Sequence, residues 1–161
     1  MDVLMWLSST APAVWGRESE SIWAYPTILT LHTIGLALLV GFASAIDFRV
    51  LGYSPGLPLA PLGRFFRYVW IGFWINALSG AWLLVMTPAK VENPAFLVKI
   101  TCVALGVVTL WWLKRDVLSA RVAGDGPGVS VVGRILAGAS LLLWAAAIVA
   151  GRLMAYVSVS R

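Results

Sequence analysis

The chain has one histidine, His32, and one cysteine, Cys102. A lone cysteine excludes an intramolecular disulfide and a CxxC centre. A lone histidine excludes bis-histidine heme ligation within one subunit and argues against a multi-histidine copper or zinc site. Charge is scarce as well: 12% of residues are Asp, Glu, Lys or Arg, against roughly 25% in an ordinary soluble domain. No apolar run holds a pair of carboxylates, and no Ser-His-Asp set, phosphate-binding loop or dinucleotide fingerprint occurs. Hydrolytic and nucleotide-driven chemistry therefore have no support here, and no enzyme activity is assigned.

What the chain has in excess is apolar surface. Of its 161 residues 60% are hydrophobic, and the mean hydropathy is +0.89. A soluble globule of this length could not cover itself with so few polar residues, so the bilayer must be the solvent for much of it. The net charge of +5 and isoelectric point near 9.9 do not indicate a nucleic-acid partner. The basic residues sit beside apolar runs, as juxtamembrane Lys and Arg do.

Four stretches are long enough to cross a hydrocarbon core of roughly 30 Å: Ser21 to Phe48, Phe66 to Met86, Ala95 to Leu113, and Val131 to Tyr156. The connectors are short. Gly52 to Arg64 is broken by prolines and glycines, Thr87 to Pro94 is a tight polar turn, and Ala123 to Ser130 is a flexible turn with Asp125. The first twenty residues lack a basic n-region and a cleavage site, so they read as a short interfacial helix or arm, with Trp6 and Trp15 at headgroup level. The expected fold is an all-α integral membrane four-helix bundle with a short N-terminal interfacial helix, one membrane domain over 1–161.

Counting Lys and Arg orients it. Arg49, Arg64 and Arg67 belong to the first connector, and Lys114, Arg115, Arg121 and Arg134 to the third. The opposite side has Arg17, Lys90, Lys99, Arg152 and Arg161. The excess places the first and third connectors in the cytoplasm and both termini outside a bacterial inner membrane.

Each span carries a polar residue at comparable depth. At a rise of about 1.5 Å per residue His32 falls near the midplane, as does Asn76 on the second span. Lys99 and Arg152 lie near the outer ends of the third and fourth. Tyr25 and Gly35 share a helical face with His32; Asn76, Ser79 and Gly80 form one stripe, and Lys99, Cys102 and Gly106 another. Small residues beside polar ones permit close helix approach or leave room for a ligand. His32 reads either as a hydrogen-bonded pin in the bundle or as a metal or heme ligand through neutral imidazole. Lys99 and Arg152 read as snorkelling cations, or as partners of a lipid headgroup or a propionate. Asp47 is expected to pair with Lys114 or Arg115, or to satisfy backbone donors, with proton uptake the minor reading. Lys90 and Glu92 read as ordinary turn residues.

The segments TLHTIGLALLVG and NPAFLVKITCVALGVV carry a resemblance. With Leu31-His32, Asp47/Arg49, Asn93 to Lys99, and Gly151-Arg152 before Ala155-Tyr156, the chain resembles a family of small, uncharacterised bacterial four-helix membrane proteins. More distantly it is similar to HemJ-type and copper-resistance D type membrane proteins, through the LH-x-x-G run and a lysine opening a later span. The HemJ-type resemblance implies heme b, with His32 an axial ligand and Lys99 a second ligand or propionate partner.

Three readings follow. The first is a heme b-binding membrane protein with a redox role, its site residues His32, Lys99, Asn76, Arg152 and Tyr25 and His32 the metal ligand. The second is a structural or accessory subunit, and the third a lipid- or anion-binding small permease. Membrane lipids, and a homo-oligomer or membrane-complex partner, are the expected associates.

Overall fold

The computed structural model describes residues 2–53, 56, 62–122 and 130–156. Six α-helices run in order: α1 (Asp2–Ser8), α2 (Ala11–Glu18), α3 (Tyr25–Leu51), α4 (Leu62–Met86), α5 (Pro94–Val122) and α6 (Val131–Leu153). A 3-10 turn, Pro88–Glu92, joins α4 to α5. No strand occurs among the described residues.

Local chemistry sets the helix ends. Pro26 occupies the first turn of α3, where a missing N–H costs least. Gly52 closes α3 in the left-handed region, at φ 96°, which glycine enters without a Cβ penalty. The Asn93 side chain accepts from the Ala95 N–H at 2.9 Å, ahead of Pro94 at the first position of α5. The Asn-Pro pair is thus a helix start. Ser130 caps α6 by accepting from the Gly133 N–H at 2.8 Å.

The helices begin and end a few residues from the sequence expectation. Helix α3 starts at Tyr25, four residues after Ser21, and α4 starts at Leu62, four before Phe66. Helix α5 continues through Val122, and α6 gives way at Leu153 to a turn that holds Tyr156. The expected irregular stretch before α4 lies mostly outside the described residues, as does the turn with Asp125 except for Ser130.

Helices α3, α4, α5 and α6 each hold a segment long and apolar enough to cross a membrane. Only 17–28% of each such segment is buried within the protein, and large apolar side chains such as Leu142, Ile135 and Leu78 point outward. An outer surface of this composition belongs in hydrocarbon, where helices satisfy their own backbone groups. The protein is a multi-pass, four-helix membrane bundle.

Two hairpins build the bundle. Helices α3 and α4 pack along their length, α5 and α6 do the same, and α3 against α6 joins the pairs, while α4 and α5 barely touch. The α3–α4 contact is a glycine crossing. A Cβ on Gly35 would come within 2.5 Å of the Asn76 amide nitrogen, and one on Gly72 within 2.5 Å of the Leu39 nitrogen. Such backbone-to-backbone approach is what small residues allow between membrane helices.

The apolar core sits toward the end of the bundle where α3 finishes and α4 begins, around Ile46, Val50, Phe66, Leu110 and Leu113. At the other end α1 and α2 lie against α4. Gly16 faces the Met86 thioether, and Arg17 donates to the Met86 carbonyl at 3.4 Å. The arm is two short helices rather than one, interrupted at Ser9 and Thr10, whose hydroxyls bond back to Trp6 and Leu7. Trp6 and Trp15 stay exposed.

Candidate functional site

His32 is the eighth residue of α3, about 10 Å from its start. It lies nearer the arm end than counting from Ser21 suggested. Its Nδ1 is 2.9 Å from the Asn76 carbonyl oxygen and 3.2 Å from the Ser79 hydroxyl. A carbonyl only accepts, so Nδ1 carries the hydrogen and donates. Ser79 spends its own hydrogen on the Ile75 carbonyl, so its oxygen takes the remaining share. Asn76 answers by donating from Nδ2 to the His32 carbonyl at 2.8 Å. This reciprocal exchange pins α3 to α4 one turn from the Gly35–Gly72 crossing. Interhelical hydrogen bonds in membranes contribute about 0.6–2 kcal/mol each.

The second ring nitrogen has a different fate. Asn76 Nδ2 is 3.3 Å from Nδ1 and 3.4 Å from Nε2. A donor on the Nε2 lone-pair axis would lie far from Nδ1, so near-equal distances put the amide over the ring. In the neutral imidazole with Nδ1 protonated, Nε2 is the accepting nitrogen, and its one contact among the described residues is this long one from an amide that already donates to the His32 carbonyl. Gly80 makes room for the ring, since a Cβ there would lie 2.9 Å from Cε1.

His32 borders two crevices between the hairpins. One, of about 320 Å³, is lined by Tyr25, His32, Gly80, Lys90, Lys99 and Arg152 among others. The second, of about 420 Å³, shares His32, Lys99 and Arg152 and adds Asn76 and Trp144. Both volumes fall in the range of small-ligand pockets, roughly 300–1,000 Å³. All five residues singled out in the sequence thus border one or both crevices. Depth along the helices was enough to group them.

Lys99, sixth in α5, does not simply reach outward. Its stem runs beside Gly151, whose added Cβ would lie 3.5–3.7 Å from Cδ, Cε and Nζ. The ammonium is therefore carried toward the last turn of α6, where the carbonyl end of the helix dipole favours a cation. Arg152 stands exposed beside it. Among the described residues no carboxylate pairs with either one.

Three contributors were missed. Lys90, in the 3-10 turn between α4 and α5, lines the first crevice. Gly151 is the space through which Lys99 runs, and Trp144, against Gly106, walls the second crevice. Of these features only Gly106, four residues from Cys102 and seven from Lys99, left a mark in the sequence at helical spacing. Among the described residues no three His, Cys, Asp or Glu side chains group to hold a metal ion. A metal here would need a ligand set completed by a macrocycle or by another donor type.

Asp47 does not make the expected ion pair. It is fully buried, and neither carboxyl oxygen has a hydrogen-bond partner among the described residues. Lys114 lies over the Phe66 ring at 5.9 Å and Arg115 over Trp111 at 3.5 Å.

The fold and crevices define a multi-pass membrane bundle with a cationic, histidine-bearing cavity at one end. No protein-family model, curated protein or solved structure matches the chain.

Proposed function

We propose that the arm-end crevice binds an amphiphilic cofactor bearing acidic groups, with heme b the cofactor of choice and a redox role in the membrane. The observation that carries this reading is the division of labour on His32. Its Nδ1–H is fixed on the Asn76 carbonyl, and the Nε2 lone pair meets only a long 3.4 Å contact from the Asn76 amide, in a residue that lines both crevices. Metal-bound histidines are typically held in this way, one nitrogen on a carbonyl and the other on the metal.

The donor set supports the same assignment. Lys99 and Arg152, without carboxylate partners among the described residues, suit two propionates, while apolar Leu29, Leu36 and Ile148 suit a macrocycle. His32 would hold the iron; Lys99, if neutral and so no longer a propionate partner, or His32 of a second copy, would be a second ligand to the group. Heme would contribute one-electron chemistry tuned by axial ligand and burial. The protein's part is to orient His32, neutralise the acidic groups and exclude water. The resemblance to HemJ-type proteins points the same way. On this reading the crevice faces outward from a bacterial inner membrane, opposite the connectors rich in Lys and Arg.

The test is the visible spectrum of protein purified from heme-replete cells, dithionite-reduced minus oxidised. A Soret band with sharp α and β bands, lost in His32→Ala, is expected. A colourless, well-folded protein would end the proposal.

A second reading rests on a separate observation. Lys90, Tyr25 and Arg152 stand around the first crevice at the bundle end, where a lipid headgroup would sit. An anionic lipid that co-purifies with the wild type and is lost on Lys99→Gln with Arg152→Gln, in a protein without heme, would favour it.

A further inference from the structure

At the opposite end of α3 from His32 stands a carboxyl group that the crevice does not use. Asp47 lies on the face of α3 that also buries Ala43 and Val50, four residues before and three after it. It is 0% exposed, and both oxygens are without a hydrogen-bond partner among the described residues. Across the interface, on α6, the Ser140 hydroxyl is also fully buried and unpartnered, as is the indole N–H of Trp144 one turn further on. Ser140 is the side chain that reaches toward the Asp47 carboxyl, though not in hydrogen-bonding geometry. Trp144 packs on Gly106 of α5 and continues to the wall of the 420 Å³ crevice.

Charge considerations decide what Asp47 can be. An isolated carboxylate in a low-dielectric interior carries a desolvation cost far above what any single contact returns. Among the described residues no cation pairs with it. Helices α4 and α5 present Phe66, Val69, Leu110 and Leu113 to the buried cluster there, and α6 presents Ala137 and Ser140. The nearby cations Lys114 and Arg115 are turned to aromatic rings. Arg64 and Arg67 on α4 and Arg134 on α6 form no salt bridge with it among the described residues. A metal cation would find one carboxyl and one hydroxyl there, too few hard ligands.

We propose that Asp47 is a proton-binding site inside the membrane bundle, a neutral carboxylic acid whose hydrogen-bond partner is Ser140. The acid and the Ser140 hydroxyl, each buried at the packed α3–α6 interface without another partner among the described residues, would satisfy each other. This site is independent of any cofactor in the crevice, and its test reads neither heme nor lipid.

The experiment is infrared spectroscopy of the full chain in lipid nanodiscs at neutral pH. The other six of the seven acidic residues lie outside the four candidate spans, so a buried-acid C=O stretch reports on Asp47. The wild type should show that band. It should disappear in Asp47→Asn and shift to higher frequency in Ser140→Ala, with intensity kept. Should Asp47→Asn fail to fold, wild-type protein grown on isotopically labelled aspartate should show the band displaced. Absence of the band in the wild type, or its persistence unshifted after labelling, would overturn the proposal. So would a band that sodium abolishes at constant pH, which would make the site a cation site. A band untouched by Ser140→Ala would remove Ser140 from it.

Discussion

At the arm end of the bundle, His32 and Asn76 each reach a backbone carbonyl of the other's helix, and open crevices lie beside them. At the far end, Asp47 and Ser140 are sealed among apolar side chains with no partner made. The first arrangement spends its polar groups on fixing geometry and leaves two cations over, with one lone pair held only by a long contact. The second leaves the polar groups themselves over. A site for an external ligand is expected where pairing is complete and space remains. A site for something as small as a proton is expected where packing is tight and pairing is not.

The largest effect should come from closing the backbone approach that holds His32 in place. Gly72→Leu drives a side chain into the Leu39 backbone and should cost about 3 kcal/mol or more, read as loss of monodisperse protein or a steep fall in Tm in detergent. Asn76→Leu should come next. It removes the donor to the His32 carbonyl, at a cost of about 1–3 kcal/mol, and disturbs the helix that holds Nδ1. Heme affinity should then fall by roughly 10–100-fold, the usual effect of losing an outer-shell partner, measured by titrating heme into apoprotein.

Sequence alone carried the four spans, because a run of about twenty apolar residues has few other destinies. It also grouped His32, Asn76, Lys99, Arg152 and Tyr25, because depth along a helix follows from counting residues. Rotation about the helix axis was harder to read, and Asp47 shows why. Its expected partners Lys114 and Arg115 are turned to the Phe66 and Trp111 rings, so nearness along the helices did not become an ion pair. The path of Lys99 along Gly151 depends on how α6 is set against α5, a tertiary fact with no local signature. The position of Lys90 at the crevice is likewise decided by the 3-10 turn rather than by its composition.

Charge neutralisation in the crevice should be separable from folding. Lys99→Gln and Arg152→Gln should each weaken binding of an acidic ligand by roughly tenfold, since a charge-assisted hydrogen bond is worth about 1.5–3 kcal/mol. The exposed Arg152 should leave Tm nearly unchanged, within about 0.5 kcal/mol of stability. The smallest effect, and of opposite sign, belongs to Gly138→Ala. Nothing lies within 4 Å of the added Cβ, so the change should stabilise α6 by about 0.5–1 kcal/mol. Its contrast with Gly72 distinguishes glycines that serve packing from one that does not.

The most direct test of the central claim is to titrate ferric heme into apoprotein of the wild type, His32→Gln and His32→Ala, following the Soret band and Tm on the same samples. An Nε2 engaged only by a long contact, beside a fixed Nδ1, predicts a saturable, ligand-field-shifted Soret band in the wild type alone, with His32→Gln keeping most of the wild-type Tm through its amide. Equal spectra for the three proteins, with Tm falling wherever His32 is changed, would contradict it and make the histidine a pin between α3 and α4.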